Sequence, residues 1–269
     1  MRTSKILTKI RSGQVARICI LGHFLPYFPK LAAHFGYDGV WVDGEHRAFD
    51  NREQQALLAF HRLANIDCIW RVPTTEKGAL YRALEDGATG IMVPHVHGQE
   101  KARMMVQALK FPPLGDRGMD GAGLDSSFSL ASPESYLENS NRNTCLVVQI
   151  ETPEGLNNVD AIAAVEGVDV LFLGPGDLSL RLGCSPSMDD PSILAAQKRI
   201  ARAAANHGKS WGQPVANGRD AARIIEVGAR FVAMGNEFAA IHSHLKQSAS
   251  AFDQAVAAPA AATKPDLAR

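Results

Sequence analysis

Several reactive side chains of this sequence stand where an apolar run ends. Val42 leads into Asp43-Gly44-Glu45-His46, Cys68-Ile69-Trp70 into Arg71, and Cys145 to Ile150 (Gln149 among them) into Glu151. Val170 to Leu173 leads into Gly174-Pro175-Gly176-Asp177, and Phe231 to Met234 into Gly235-Asn236-Glu237. If the runs are buried strands, these residues share one rim. Glu151 and Asp177 converging there would repel unless one is protonated or a cation sits between them. Hard oxygen ligands with open positions suit Mg2+ or Mn2+; the alternative is that one carboxylate pairs with a nearby arginine. Arg71 is costly to bury without an anion. It could stabilise a developing enolate oxygen, or form a structural salt bridge to Asp43 or Glu45. His46 reads as an acid/base group or a hydrogen-bonded structural histidine.

Gly174-Pro175-Gly176-Asp177 precedes a short helical run, Leu178 to Leu182. Backbone N–H groups at a helix start bind anions, and Gly176 lets a ligand approach the backbone. The alternative is an ordinary capped turn. His23 and His95 also fall at strand ends, as weaker candidates. His61, His207, His242 and His244 fall on helices or their ends and read as surface or packing residues.

The elements that must position these groups follow a rhythm. Strand-like runs cover Ala16–Leu21, Gly39–Val42, Cys68–Trp70, Gly90–Val93, Cys145–Ile150, Val170–Leu173, a weak Trp211–Val215, and Phe231–Met234. Helix-like stretches such as Glu53–Arg62, Thr75–Glu85, Gln99–Leu109, Ile193–Asn206 and Arg219–Val227 lie between them. Alternation of this kind means parallel pairing with helices outside. Eight units, and no GxGxxG in the first strand–helix turn, favour a closed (β/α)8 TIM barrel over an open sheet. Barrel chemistry sits at the C-terminal ends of the strands. Phe111–Ser129 is a long loop expected to leave the opposite face.

The length, 269 residues, fits one barrel domain, expected over 1–254 with an Ala/Pro-rich mobile tail at 255–269. Zero net charge gives no hold on nucleic acid or an anionic membrane. No signal peptide and no apolar run of about 20 residues is visible. Cys19, Cys68, Cys145 and Cys184 form no CxxC pair, and the first three fall within strands as buried thiols. A cytoplasmic location is expected.

Asp43-Gly44-Glu45-His46, Arg71-Val72-Pro73, Arg117-Gly118, Gln149-Ile150-Glu151-Thr152 and Gly174-Pro175-Gly176-Asp177-Leu178-Ser179 together resemble the HpcH/HpaI aldolase family. The family comprises metal-dependent pyruvate aldolases such as 4-hydroxy-2-oxoheptanedioate and 2-dehydro-3-deoxyglucarate aldolases. The resemblance runs from about Ile18 to Ala240. It implies a (β/α)8 fold, a hexamer of helix-swapped dimers, and a divalent metal (Mg2+, Mn2+ or Co2+) held by Glu151 and Asp177. It implies Arg71 as the enolate-stabilising arginine and His46 as the acid/base. Gln149 and the backbone of Gly176 and Asp177 would contact pyruvate. The carboxylate that supports the histidine, usually Asp, aligns with Glu85, beside Asp86. Met119–Asp125 replaces a more basic stretch, and an acidic loop near the acceptor pocket would disfavour anionic aldehydes. Trp211-Gly212-Gln213-Pro214 also differs from the family's better-known members.

The expected reaction is reversible aldol cleavage of a 4-hydroxy-2-oxo acid to pyruvate and an aldehyde, through a metal-stabilised pyruvate enolate. Oxaloacetate decarboxylation would use the same enolate, and a non-catalytic oxo-acid-binding barrel is a third reading. Schiff-base chemistry needs a lysine at a strand end. Lys77 and Lys101 fall in helical runs, and Lys209 precedes the seventh strand.

Overall fold

The computed structural model describes residues 2–257. Eight parallel strands close in sequence order: β1 (Ala16–Leu21), β2 (Gly39–Asp43), β3 (Asp67–Arg71), β4 (Gly90–Val93), β5 (Cys145–Ile150), β6 (Val170–Leu173), β7 (Ser210–Val215) and β8 (Phe231–Asn236). The helices are α1 (Lys5–Arg11), α2 (Phe28–His34), α3 (Asn51–Leu63), α4 (Lys77–Glu85), α5 (Gln99–Leu109), α6 (Pro133–Asn143), α7 (Pro153–Asn157), α8 (Val159–Ala163), α9 (Pro175–Leu182), α10 (Pro191–Asn206), α11 (Gly218–Glu226) and α12 (Glu237–Ala257). The molecule is a single (β/α)8 barrel. α12 runs through Ala257, three residues past the expected domain edge at 254, and 258–269 lie outside the described residues.

Strand residues alternate between two apolar layers, as the two-residue period requires. Ile18, Trp41, Ile69, Met92, Val147, Phe172 and Phe231 fill the barrel. Cys19, Val40, Val42, Trp70, Val148 and Leu171 face the helices. Phe172 packs edge-on against both Trp41 and Phe231, with ring centroids 5.5 and 5.6 Å apart. Gly212 makes this crowding possible, because a Cβ there would collide with the Phe231 carbonyl oxygen.

The base of the barrel is plugged by α1, whose Ile6, Leu7 and Ile10 are buried in the interior cluster. Asp67, fully buried at the start of β3, accepts from Ser4 Oγ at 2.7 Å and from the Ile6 N–H at 2.9 Å, and pairs with Arg2. Strand ends at the other face therefore surround the side of the ring that α1 leaves open. The long loop after α5 does pack at the base: the Asp125 N–H reaches the Glu85 carbonyl at 3.4 Å. Ser127, Phe128 and Ser129 there have φ values of 57–64°, a left-handed turn that L-residues adopt at a cost.

Cys19, Cys68 and Cys145 are buried free thiols and Cys184 is half-buried. No helix among the described residues is long and apolar enough to cross a membrane.

Candidate active site

The turn after β2 is built from Asp43. Its Oδ1 accepts the N–H groups of Glu45 and His46, each at 3.1 Å. The same oxygen meets Arg71 Nε at 3.0 Å and Nη2 at 2.8 Å. Burial works against this carboxylate, but Arg71 and the N–H bonds outweigh it and hold Asp43 below its ordinary pKa. Gly44 donates to the Arg71 carbonyl at 3.0 Å, and a Cβ there would stand 2.7 Å from that oxygen. Glycine is thus required for β2 to turn tightly over the end of β3.

Arg71 is buried over the Trp41 ring, 4.8 Å from its centroid. Its Nη1 lies 3.0 Å from Glu45 Oε2 and 3.5 Å from Gln149 Oε1. The salt bridges weighed from the sequence are both present. Nη1 also reaches Gln149, two strands along the barrel, and one N–H of Nη2 is left over.

Glu151 is 2 % exposed. Its Oε2 accepts from Gln149 Nε2 at 3.1 Å and its Oε1 from the His95 N–H at 2.7 Å. His95 Nδ1 stands 3.1 Å from the same Oε1 without hydrogen-bond alignment, and His95 Nε2 is 3.5 Å from Glu45 Oε1. Burial raises the Glu151 carboxyl above its ordinary pKa. The bond and charge of His95 pull it down, and Asp177 and Glu45 push it up again. Three carboxylates thus press on one another here. Gly174 accommodates Glu151, whose carboxylate a Cβ would strike. Asp177, in the first turn of α9, is clamped by Arg181 at 2.6 Å, while Gly176 faces open space.

His46 is more than half exposed, with Glu45 Oε2 3.7 Å from its Nε2. Glu85 and Asp86 are not brought to it within one chain. They close α4 at the base: Glu85 lies 4.0 Å from Arg117, and Asp86 accepts from Gln55 at 3.0 Å. The cause is topological, since a helix C-terminus lies beside the start of the following strand. The acidic loop is at the base for the same reason, and its Asp125 is neutralised by Arg117 at 2.8 Å.

Glu45 and His95 were underrated in the sequence. Glu45 touches Arg71, His46 and His95 together. His95 reaches Glu151 because its φ of 54° turns the chain inward, which no local pattern announces; its place just after Val93-Pro94 was the available signal. Lys101 reaches back to the mouth, but its Nζ is held by the carbonyls of Pro94 and His95 at 3.0 Å each. Open clefts of about 550 and 540 Å3 flank the mouth. One lies between His46, Phe49, Trp70 and Pro73, the other between Pro175, Met188, Val215 and Asn217.

Among the described residues no three or more His, Cys, Asp or Glu side chains gather as a ready metal cage. The donor set nevertheless fits a hard divalent cation. Glu151 and Asp177 bring carboxylate oxygens to adjacent strand ends, where their charges oppose each other, and the open space at Gly176 would leave room for further oxygen donors from a small acid.

A closed parallel barrel whose C-terminal strand ends gather carboxylates, a buried arginine and an exposed histidine has the make-up of a barrel enzyme. The chain is a member of the HpcH/HpaI aldolase/citrate lyase family, whose model matches residues 21–243. It is 35% identical over 260 residues to hydroxypyruvate/pyruvate aldolase of Pseudomonas aeruginosa, covering 95% of each chain. It is 36% identical over 250 residues to 5-keto-4-deoxy-D-glucarate aldolase of Escherichia coli (strain Crooks), covering 93% of this chain and 96% of that one. The HpcH/HpaI aldolase structure from Desulfitobacterium hafniense DCB-2 superposes with a TM-score of 0.86 at 27% identity, over 94% of this chain and 97% of that one. The family is divalent-metal-dependent in general.

Proposed function

We propose that this chain is a carbon–carbon lyase that cleaves a 4-hydroxy-2-oxo acid reversibly to pyruvate and an aldehyde. The observation that carries the reading is the buried Glu151, pressed by Asp177 and Glu45 beside the Arg71–Gln149 pair. Like charges gathered in a buried site call for a cation, and a neighbouring guanidinium suits a developing oxyanion.

Glu151 and Asp177 would hold a divalent cation (Mg2+, Mn2+ or Co2+), which when bound supplies Lewis-acid polarisation of the 2-oxo group. Arg71, fixed by Asp43 and Glu45, offers a pre-aimed donor to the oxygen that becomes an enolate. Gln149 positions the oxo acid, and the backbone at Gly176 and Asp177 receives its carboxylate at the start of α9. His46 moves a proton at the mouth. Glu85 and Asp86 would support His46 only if a second copy brought its base to this mouth.

The named relatives use pyruvate, hydroxypyruvate and a keto-deoxy sugar acid, and a 2-oxo acid with an aldehyde partner is the substrate class proposed here. The chain would act as a homo-oligomer, a hexamer by its family resemblance; α12, which exposes Phe238, Ile241, Leu245, Phe252 and Val256, supports self-association without fixing the number of copies. A cytoplasmic site of action agrees with the free cysteines.

Deuterium exchange of the pyruvate methyl group tests the reading. It should require Mn2+ or Mg2+ and stop with chelator, and borohydride with pyruvate should leave no covalent adduct. Covalent trapping, or no exchange with any of the three metals, would sink it.

A further inference from the structure

His95 stands between two carboxylates of the mouth, and the mechanism above gives it no part. Its Nδ1 lies 3.1 Å from Glu151 Oε1, is buried, and has no hydrogen-bond partner among the described residues. Its Nε2 lies 3.5 Å from Glu45 Oε1, and Glu45 is itself held by Arg71 at 3.0 Å. A buried ring nitrogen without a partner is costly, and this one stands beside the carboxylate assigned to a cation.

The backbone is bent to put it there. His95 has a φ of 54°, in the left-handed region that L-residues adopt at a cost. Its own N–H donates to Glu151 Oε1 at 2.7 Å, and the next N–H, of Val96, donates to the Gln149 carbonyl at 3.1 Å. Lys101 Nζ bonds the carbonyls of Pro94 and His95 at 3.0 Å each. The imidazole is therefore fixed on Glu151 by the chain rather than by a bond of its own.

A hydrogen bond does not explain the contact, because Nδ1 is not aligned for one. A shared ion does. Two donor atoms, each about 2.1 Å from one cation and at right angles to each other, stand about 3 Å apart. That is the spacing of Nδ1 and Oε1. Nδ1 then presents its lone pair, and Nε2 carries the proton toward Glu45. A carboxylate facing the other N–H is the usual support of a metal-bound imidazole.

We infer that His95 Nδ1 is a third protein ligand to the cation of Glu151 and Asp177, an assignment that rests on the metal-dependent aldolase reading. Asp177, held by Arg181 at 2.6 Å, completes the set when it exchanges that guanidinium for the ion. An imidazole nitrogen among oxygen ligands turns the preference away from Mg2+ and toward Co2+ and its neighbours.

The test uses the full-length protein loaded with Mn2+, prepared with 14N- or 15N-histidine, and reads nitrogen coupling to the metal by pulsed EPR without substrate. The unsubstituted protein should show coupling that changes with the isotope. His95→Asn suits the left-handed turn and removes the ring, and should lose that coupling. In calorimetry, His95→Asn should weaken Co2+ binding at least about tenfold and Mg2+ binding less than about threefold. No isotope-sensitive coupling in protein that binds Mn2+ would make His95 an imidazolium clasp between Glu45 and Glu151 and overturn the inference. So would coupling that survives His95→Asn, equal losses of Co2+ and Mg2+, or no Mn2+ binding at all. The isotope comparison needs no variant, so misfolding of His95→Asn would not hide the answer. Pyruvate deuterium exchange on the same protein keeps the two readings apart. Coupling without exchange leaves His95 on the metal and sinks the aldolase reading, whereas exchange without coupling sinks the inference alone.

Discussion

Two arginines are surrounded by carboxylates at opposite ends of this barrel, and they are used differently. At the base, Arg117 is wholly enclosed. Its Nη2 meets Asp125 at 2.8 Å and Tyr136 Oη at 3.1 Å, its Nη1 reaches Ser140 at 3.2 Å, and Phe111 lies 4.6 Å beneath it. Tyr136 in turn donates to Asp125 at 2.8 Å. At the mouth, Arg71 has as many carboxylate contacts, but it borders Glu151, whose carboxyl is raised by burial first, with Asp177 and Glu45 adding; burial raises Glu85 at the base in the same way. The base cluster closes a loop onto the barrel. The mouth cluster, on the reading proposed above, would be completed by a bound cation and oxo acid. Neither a buried arginine nor a raised carboxyl alone marks a site; their place at the C-terminal ends of the strands does.

The sharpest way to break this comparison is Glu151→Gln. The amide keeps an acceptor for the His95 N–H but removes the charge. Activity should fall at least about a thousandfold, as loss of Lewis-acid assistance implies, while the melting temperature holds. An active variant would show that the mouth does not need that charge. Arg117→Ala should cost about 3–5 kcal/mol in denaturant unfolding, because it leaves Asp125 buried without its partner. Arg71→Lys keeps a charge but loses the fork, and should cost about 2.7–4 kcal/mol in kcat/KM, with a smaller change in stability than Arg117→Ala. Equal destabilisation at both ends would erase the distinction.

The pH response should also separate the ends. His61 on α3 is fully buried, its Nδ1 2.7 Å from the Leu57 carbonyl, and burial lowers its pKa to about 4. Between about 4 and 6.5 the unfolded chain binds the proton and the folded chain does not. His61 therefore contributes stability that is complete above 6.5 and is lost as pH falls toward 4, about 3 kcal/mol in all. His61→Leu should flatten that part of the pH–stability curve measured by urea unfolding. The smallest effect belongs to the exposed Arg142–Glu138 pair on α6: Arg142→Ala should change stability by less than about 0.5 kcal/mol.

The barrel was legible in the sequence because each buried strand is a short apolar run that ends in polar residues, and even the weak seventh strand kept its place in the order. The mouth was legible for the same reason, since Arg71, Gln149, Glu151 and Asp177 sit at the ends of such runs. What local pattern could not give was which groups touch. Glu45 looked like one charge among several in a loop, yet it bridges Arg71, His46 and His95. That one of Glu151 and Asp177 pairs with an arginine was among the readings, but not which: Arg181, one turn on, holds Asp177. Glu85 and Asp86 precede a strand rather than follow one, which places them at the other end of the ring from His46. Alignment to a motif carries no information about which end that is, whereas strand–helix order does.

The α1 plug has a consequence for assembly. Its seat is composed of residues far apart in the chain: Asp67 from β3, Asn143 from α6, whose side chain accepts the Ser4 N–H at 3.1 Å, and Phe231 and Ala233 from β8. The helix leaves the ribosome before every part of this seat, and its socket exists only when the eighth strand has joined the first. Synthesis order and docking order are thus inverted, and the cork waits for its bottle.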